Sequence, residues 1–117
     1  MTSIERFDTY AGLMHLAVVH GDTIYLAGIV ADDLEADMEG QARDVLRQLD
    51  EIAAAHGLDR SCVLSATIFV TDMMEKPAMN RVWQEFFDPA HLPARATIGV
   101  ADLGRGVRLE MVATLGR

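Results

Sequence analysis

The segment Pro93-Ala94-Arg95-Ala96-Thr97, together with Glu110 further along the chain, carries the residue types best suited to chemistry on a small molecule. Ala96, Ile98 and Val100 alternate with Arg95, Thr97 and Gly99, which is the period of a strand, and the pattern predicts a guanidinium aimed away from the apolar side of its sheet. A cation on a half-buried strand requires a partner, either a carboxylate of the protein or one carried by a ligand. A planar guanidinium grips a carboxylate through two parallel hydrogen bonds and so fixes position and angle, which a lysine ammonium does less well. The competing structural reading makes Arg95 an ion-pair partner of Glu110 or of another subunit's acid, and Glu110 a partner of Arg95 or Arg108.

Other residues that might carry chemistry lack the spacing for it. His15, His20, His56 and His91 have no ligand-like separation and no neighbouring cysteine, so no metal is expected. Cys62 reads as an inert core thiol on the apolar side of a strand, and Met73, Met74 and Met79 as packing around a helix. Asp32-Asp33-Leu34-Glu35 precedes a helical segment, and Asp37 or its neighbours suit that helix's N-terminus better than a calcium ion.

The elements that must position these residues follow from length and periodicity. A chain of 117 residues, half of them hydrophobic, forms one domain over 1–117 with enough apolar side chain for a core. Thr23 to Val30 and the preceding His15 to His20 read as two strands joined in a hairpin at Gly21-Asp22. From Met38 the apolar positions Ala42, Val45, Leu46, Leu49, Ile52 and Ala53 fall three and four apart, one face of a helix that Gly57 ends. Cys62 to Thr71 alternates again as a strand. Pro77 opens a second helix with the stripe Met79, Val82, Trp83, Phe86 and Phe87, which stops before Pro89. Strands over Arg95 to Val100 and Val107 to Thr114 complete a β-β-α-β-α-β-β order, an α+β sandwich with two helices on one face of a sheet.

One sheet face reads Ile24, Leu26, Val30, Leu64, Ala66, Ile68, Val70, Ile98, Val100, Leu109, Met111 and Ala113 and belongs under the helices. The other, with Tyr25, Ala27, Ile29, Val63, Ser65, Thr67, Phe69, Arg95, Thr97, Arg108, Glu110 and Val112, is too apolar for open water and too polar for a sealed core. Two helices cover only one side, so the mixed side calls for further copies of the chain, with ligand clefts at their boundaries.

Charge narrows the partners. Ten Lys plus Arg stand against eighteen Asp plus Glu, a formal net charge of −8 with no basic run, which repels a phosphate backbone and argues against nucleic acid. The longest apolar stretch, Ile24 to Ala31, falls far short of the roughly 20 residues of a membrane helix, and Met1 to Arg6 lacks a signal peptide's apolar core. The single Cys62 cannot form an internal disulfide. These features predict no membrane partner and a cytoplasmic location.

Read with Met79-Asn80-Arg81-Val82-Trp83, Tyr25-Leu26-Ala27-Gly28, Gln41-Ala42-Arg43 and Leu109-Glu110-Met111, the Pro93–Thr97 segment makes the chain resemble the Rid family, also called YjgF-type proteins, from about His15 to the C-terminus. The resemblance implies a chorismate-mutase-like fold and a homotrimer with a central barrel of sheets, helices outside and ligand clefts between subunits. It also implies an activity: hydrolysis of reactive enamines and imines of the 2-aminoacrylate type, left by pyridoxal-phosphate enzymes, to keto acids and ammonia without a cofactor. Carried over residue by residue, Arg95 matches the arginine that holds the substrate carboxylate, and Glu110 the acid that positions the attacking water. Gly28 and Thr97 fall where backbone approaches the ligand, and Asn80 matches a family asparagine near the site. Two positions depart: the family's active deaminases have a serine where this chain has Ala27 and a tyrosine near Met14, a pattern closer to a divergent subgroup. The alternatives are a non-catalytic module that binds or senses a small organic acid and, from an activity ascribed to some relatives, an endoribonuclease or translation inhibitor.

Overall fold

The switches of period along the sequence become the element order of the computed structural model, which describes residues 3–117. The order is β1 (Ile4–Tyr10), β2 (Met14–His20), β3 (Thr23–Leu26), α1 (Met38–Ala55), β4 (Val63–Val70), α2 (Lys76–Phe86), β5 (Ala94–Gly99) and β6 (Leu109–Gly116). Met1 and Thr2, the start of the segment read above for a signal peptide, lie outside the described residues. The strands form one sheet in the order β1-β2-β3-β6-β4-β5, antiparallel except for the β4–β5 pair. The α+β sandwich is as the sequence predicts, with one strand more.

That extra strand is β1, which pairs with β2 from Ile4↔His20 to Tyr10↔Met14. Its side chains are exposed except Phe7, which packs edge-on against His56 with ring centroids 4.9 Å apart. An edge strand with solvent on both faces has no alternation to announce it.

Local chemistry sets the boundaries of the other elements. Gly21, at φ +63°, and Asp22 form the tight turn between β2 and β3. The Asp37 carboxylate accepts the Gly40 N–H at 2.9 Å and caps α1, and Gly57, at φ +73°, ends it. Pro77 stands in the first turn of α2. The helices lay Val45, Leu46, Leu49, Met79 and Val82 on Ile24, Leu26, Ile68, Met111 and Leu115 of the sheet, all buried. Full burial of each such side chain is worth about 1.5–3 kcal/mol, so this single face supplies most of the driving force for folding.

Two bulges reverse parts of the predicted facing. In β4, Val63 pairs with Leu115 but Ser65 with Thr114, so Leu64 is the extra residue. Val63 is therefore buried, and Leu64, expected under the helices, is 54% exposed. Between β3 and β6 the pairing steps from Tyr25↔Thr114 to Ile29↔Met111, which places an extra residue at Ala27-Gly28 and buries Ile29 on the helix side. Cys62 lies in a single helical turn before β4 and is half-buried, not a core thiol on the strand.

One buried polar side chain ties the loops to the sandwich. Gln41 on α1 is fully buried; its Nε2 donates to the carbonyls of Ala36 at 3.1 Å and Gly106 at 3.0 Å, and its Oε1 accepts the Arg108 N–H at 3.0 Å. It thereby fixes the approach to β6 two residues before Glu110. Among the described residues no helix is long and apolar enough to cross a membrane.

Candidate functional site

Arg95 and Thr97 lie on the face opposite to the one their alternation predicts. Strand β5 runs parallel to β4 with Arg95 beside Ala66 and Thr97 beside Ile68, both buried beneath the helices. Arg95 and Thr97 therefore point toward α2, while Ala96 and Ile98 face outward, Ile98 at 45% exposure. A period of two separates the faces of a strand but does not say which one is covered. Where the uncovered face is itself apolar, the two look alike.

On that side the Arg95 guanidinium is half-buried, its centre 5.0 Å from the middle of the Trp83 ring, and its Nη1 donates to Met79 Sδ at 3.9 Å. None of the ion pairs among the described residues includes Arg95. Burial without a carboxylate holds its pKa below the ordinary arginine value, though a guanidinium stays charged in any protein. The guanidinium borders a hollow of about 280 Å³ lined by Asn80, Trp83, Gln84, Leu92 and Arg95. Asn80 Oδ1 and Thr97 Oγ1 are buried without hydrogen-bond partners. An unpaired cation and two unsatisfied oxygens are costly to hold in a fold unless something else completes them.

Gly28 and Glu110 form a second group. Ile29 and Met111 exchange hydrogen bonds at 2.8 and 3.0 Å just past the bulge, and the Glu110 side chain lies across Gly28 on the uncovered face. A β-carbon at position 28 would stand 2.9 Å from Glu110 Cδ and 3.1 Å from Cγ, so any larger residue there displaces the Glu110 side chain. Glu110 makes no side-chain hydrogen bond or ion pair among the described residues. Arg108, its suggested partner, turns instead to Glu75 at 2.8 Å.

The chain thus assembles the predicted residues into two groups, not one: Arg95, Thr97 and Asn80 on the helix side of the edge strand, and Gly28 with Glu110 on the open side. The Arg95–Glu110 ion pair considered above does not form within the chain. Trp83, Gln84 and Leu92 are walls of the Arg95 hollow that the sequence reading did not assign to the site. The available signal was the three-residue step from Asn80 to Trp83, which places both on one side of α2.

Other hollows are less suited to a carboxylate. A groove of about 440 Å³ between α1 and α2 is lined by Arg43, Arg47 and Arg60, but Arg43 pairs with Glu85 at 2.8 Å, Arg60 with Asp50 and Arg47 with Asp44. Among the described residues, no group of three or more His, Cys, Asp or Glu side chains could hold a metal ion.

Comparisons with known proteins bear on this arrangement as a whole. A family described as Endoribonuclease L-PSP matches residues 3–115. The RutC family protein YoaB of Escherichia coli is 33% identical over 100 residues, covering 84% of this chain and 87% of its own. A protein of Dermatophagoides farinae named 2-iminobutanoate/2-iminopropanoate deaminase is 34% identical over 101 residues, covering 81% of this chain and 78% of its own. Among solved structures, NMB1025 of Neisseria meningitidis, described as a member of the YjgF protein family, superposes with a TM-score of 0.90 at 31% identity, covering 98% of this chain and 95% of its own.

Proposed function

Because the chain belongs to the Endoribonuclease L-PSP family, the Rid or YjgF-type proteins, we propose that it hydrolyses small carboxylate-bearing imines and enamines to keto acids and ammonia. A relative named 2-iminobutanoate/2-iminopropanoate deaminase supports a reactive-intermediate deaminase role for the family. The observation that carries it is the Arg95 guanidinium, which has no carboxylate partner among the described residues and opens on a hollow the size of a small organic acid.

The two groups of site residues come together between copies of the chain. Strand β5 is a sheet edge, so Arg95, Thr97 and Asn80 are reached from beside it, whereas Glu110 and Gly28 stand on the open face. That face also exposes Leu16, Tyr25, Val112 and Ile98, apolar surface that a neighbour would bury. An edge against a face is a head-to-tail contact, which closes into a ring when the rotation between copies allows, and the family resemblance sets the ring at three. Each cleft then takes Arg95 from one copy and Glu110 from the next.

In that cleft the Arg95 fork binds the substrate carboxylate in two parallel hydrogen bonds, the Thr97 hydroxyl can donate a further one, and Asn80 Oδ1 can accept from the iminium N–H. The imine, protonated on nitrogen, is already electrophilic. Glu110 takes a proton as water adds to the imine carbon, and returns it as the carbon–nitrogen bond breaks, so that iminium and water leave as keto acid and ammonium. Orientation of the reactants alone is worth roughly 7 kcal/mol or more in favourable cases, which asks little else of the protein. No cofactor enters this chemistry, and the lone Cys62 suits a reducing, cytoplasmic setting.

A second reading has its own observation: Ala27 and Met14 bring no hydroxyl to the Glu110 group, and a cleft without them would bind an organic acid and leave it unchanged. Ammonia release from freshly generated imines of several amino acids separates the two. The deaminase gives turnover above the spontaneous rate, and a pure binder gives saturable binding alone. The acidic balance of the chain weighs against RNA as substrate.

A further inference from the structure

Five arginines of the described chain end on carboxylates: Arg43, Arg47, Arg60, Arg81 and Arg108. Arg95 is held differently, by an aromatic face and a thioether. Trp83 is 6% exposed and Met79 1%, and both are packed into the core, so neither contact depends on a mobile surface side chain. Trp83 is further fixed by Phe87, whose ring centroid is 4.6 Å away. The distinction matters for a binding group. A carboxylate partner would hold the guanidinium just as firmly, but would occupy the N–H groups a ligand needs and cancel the charge that attracts it. An indole face engages the cation through its quadrupole and consumes no N–H, and indole is the best of the aromatic partners for this.

We propose that Trp83 is the positioning residue of the carboxylate clamp: it fixes the Arg95 guanidinium at the rim of the hollow while leaving its charge, and the N–H groups that Met79 does not engage, for an incoming carboxylate. The proposal rests on the reading of Arg95 as that clamp and adds the part of the fold that keeps it ordered without neutralising its charge. Asn80 and Trp83 lie three residues apart on α2, so one stretch of helix presents both the cradle and an oxygen beside it.

The test measures 2-oxobutanoate binding by calorimetry and imine hydrolysis by steady-state kinetics in the wild type and in W83F, W83L and R95A. W83F keeps an aromatic face and should bind within about threefold of the wild type; W83L keeps bulk without the face and should bind about tenfold more weakly, through KM more than kcat. Equal affinities for W83F and W83L would overturn the proposal. Should R95A bind as the wild type does, the clamp itself is wrong, whereas loss of binding in R95A with no distinction between the Trp83 variants removes only the role of Trp83. A second measurement needs no Trp83 variant: this is the chain's single tryptophan, so its fluorescence should change saturably with 2-oxobutanoate and should not respond in R95A. Emission unmoved by saturating ligand in a wild type that calorimetry shows to bind would also overturn it.

Discussion

Glu110 lies directly over Gly28, its carboxyl carbon 2.9 Å from the place a β-carbon on residue 28 would occupy. The bulge at Ala27-Gly28 and the absence of a side chain there together define where the carboxylate of β6 can stand. Substituting G28A must move Glu110, since the backbone on both sides is fixed by the Ile29–Met111 hydrogen bonds. The clash is with the end of a side chain on the uncovered face, so the displacement costs little stability. The expected outcome is a folded protein with kcat for imine hydrolysis reduced at least tenfold and KM little changed, because the Arg95 group is untouched.

Gln41 is the buried hub beneath the loop that leads into β6, and its amide serves both Gly106 and Arg108. Q41L keeps the volume but strands the Arg108 N–H and the carbonyls that Gln41 serves. Each buried group left unsatisfied costs about 1–3 kcal/mol. Urea unfolding should show a loss of about 2–4 kcal/mol, with faster amide exchange over residues 101–108.

Stability should fall on the acid side through Asp44. Its pKa is held below the ordinary aspartate value, first by the Asp32 N–H at 2.6 Å and then by hydrogen bonds from Arg47 and Gln48. A carboxylate whose folded pKa is depressed adds stability above its unfolded pKa and loses it as pH falls through the folded value. The contribution of Asp44 should therefore be present at neutral pH and disappear below about pH 4. In D44N, thermal melts should show a smaller drop in midpoint between pH 6 and pH 3 than in the wild type.

The open face should be an interface. Val112, 38% exposed in the middle of that face, has no neighbour to justify it in an isolated chain. Sedimentation should give three copies for the wild type and a single copy for V112K, with hydrolysis lost although no site residue is altered. A monomeric wild type would remove the shared cleft.

The elements of this fold were legible wherever one face is buried, because burial imposes a period; β2, α1, β4, α2 and β6 all announce themselves this way. Strand β1 does not, since solvent lies on both of its sides. Facing was lost at Leu64 and at Ala27-Gly28, where one extra residue reverses the phase between its two sides, and in β5, where the uncovered side is apolar too. The residue types of the site could be read, but their division into two groups could not. That division depends on which face of an edge strand the helices cover, a tertiary fact that alternation alone does not contain.

Imine hydrolysis by R95A, beside sedimentation of the same sample, bears most directly on the central claim that Arg95 is kept free for a ligand's carboxylate. Two charge-assisted hydrogen bonds at about 1.5–3 kcal/mol each predict a fall in kcat/KM on the order of 100-fold or more in an assembly unchanged from the wild type. An R95A protein that assembles normally and hydrolyses imines at the full rate would contradict the account.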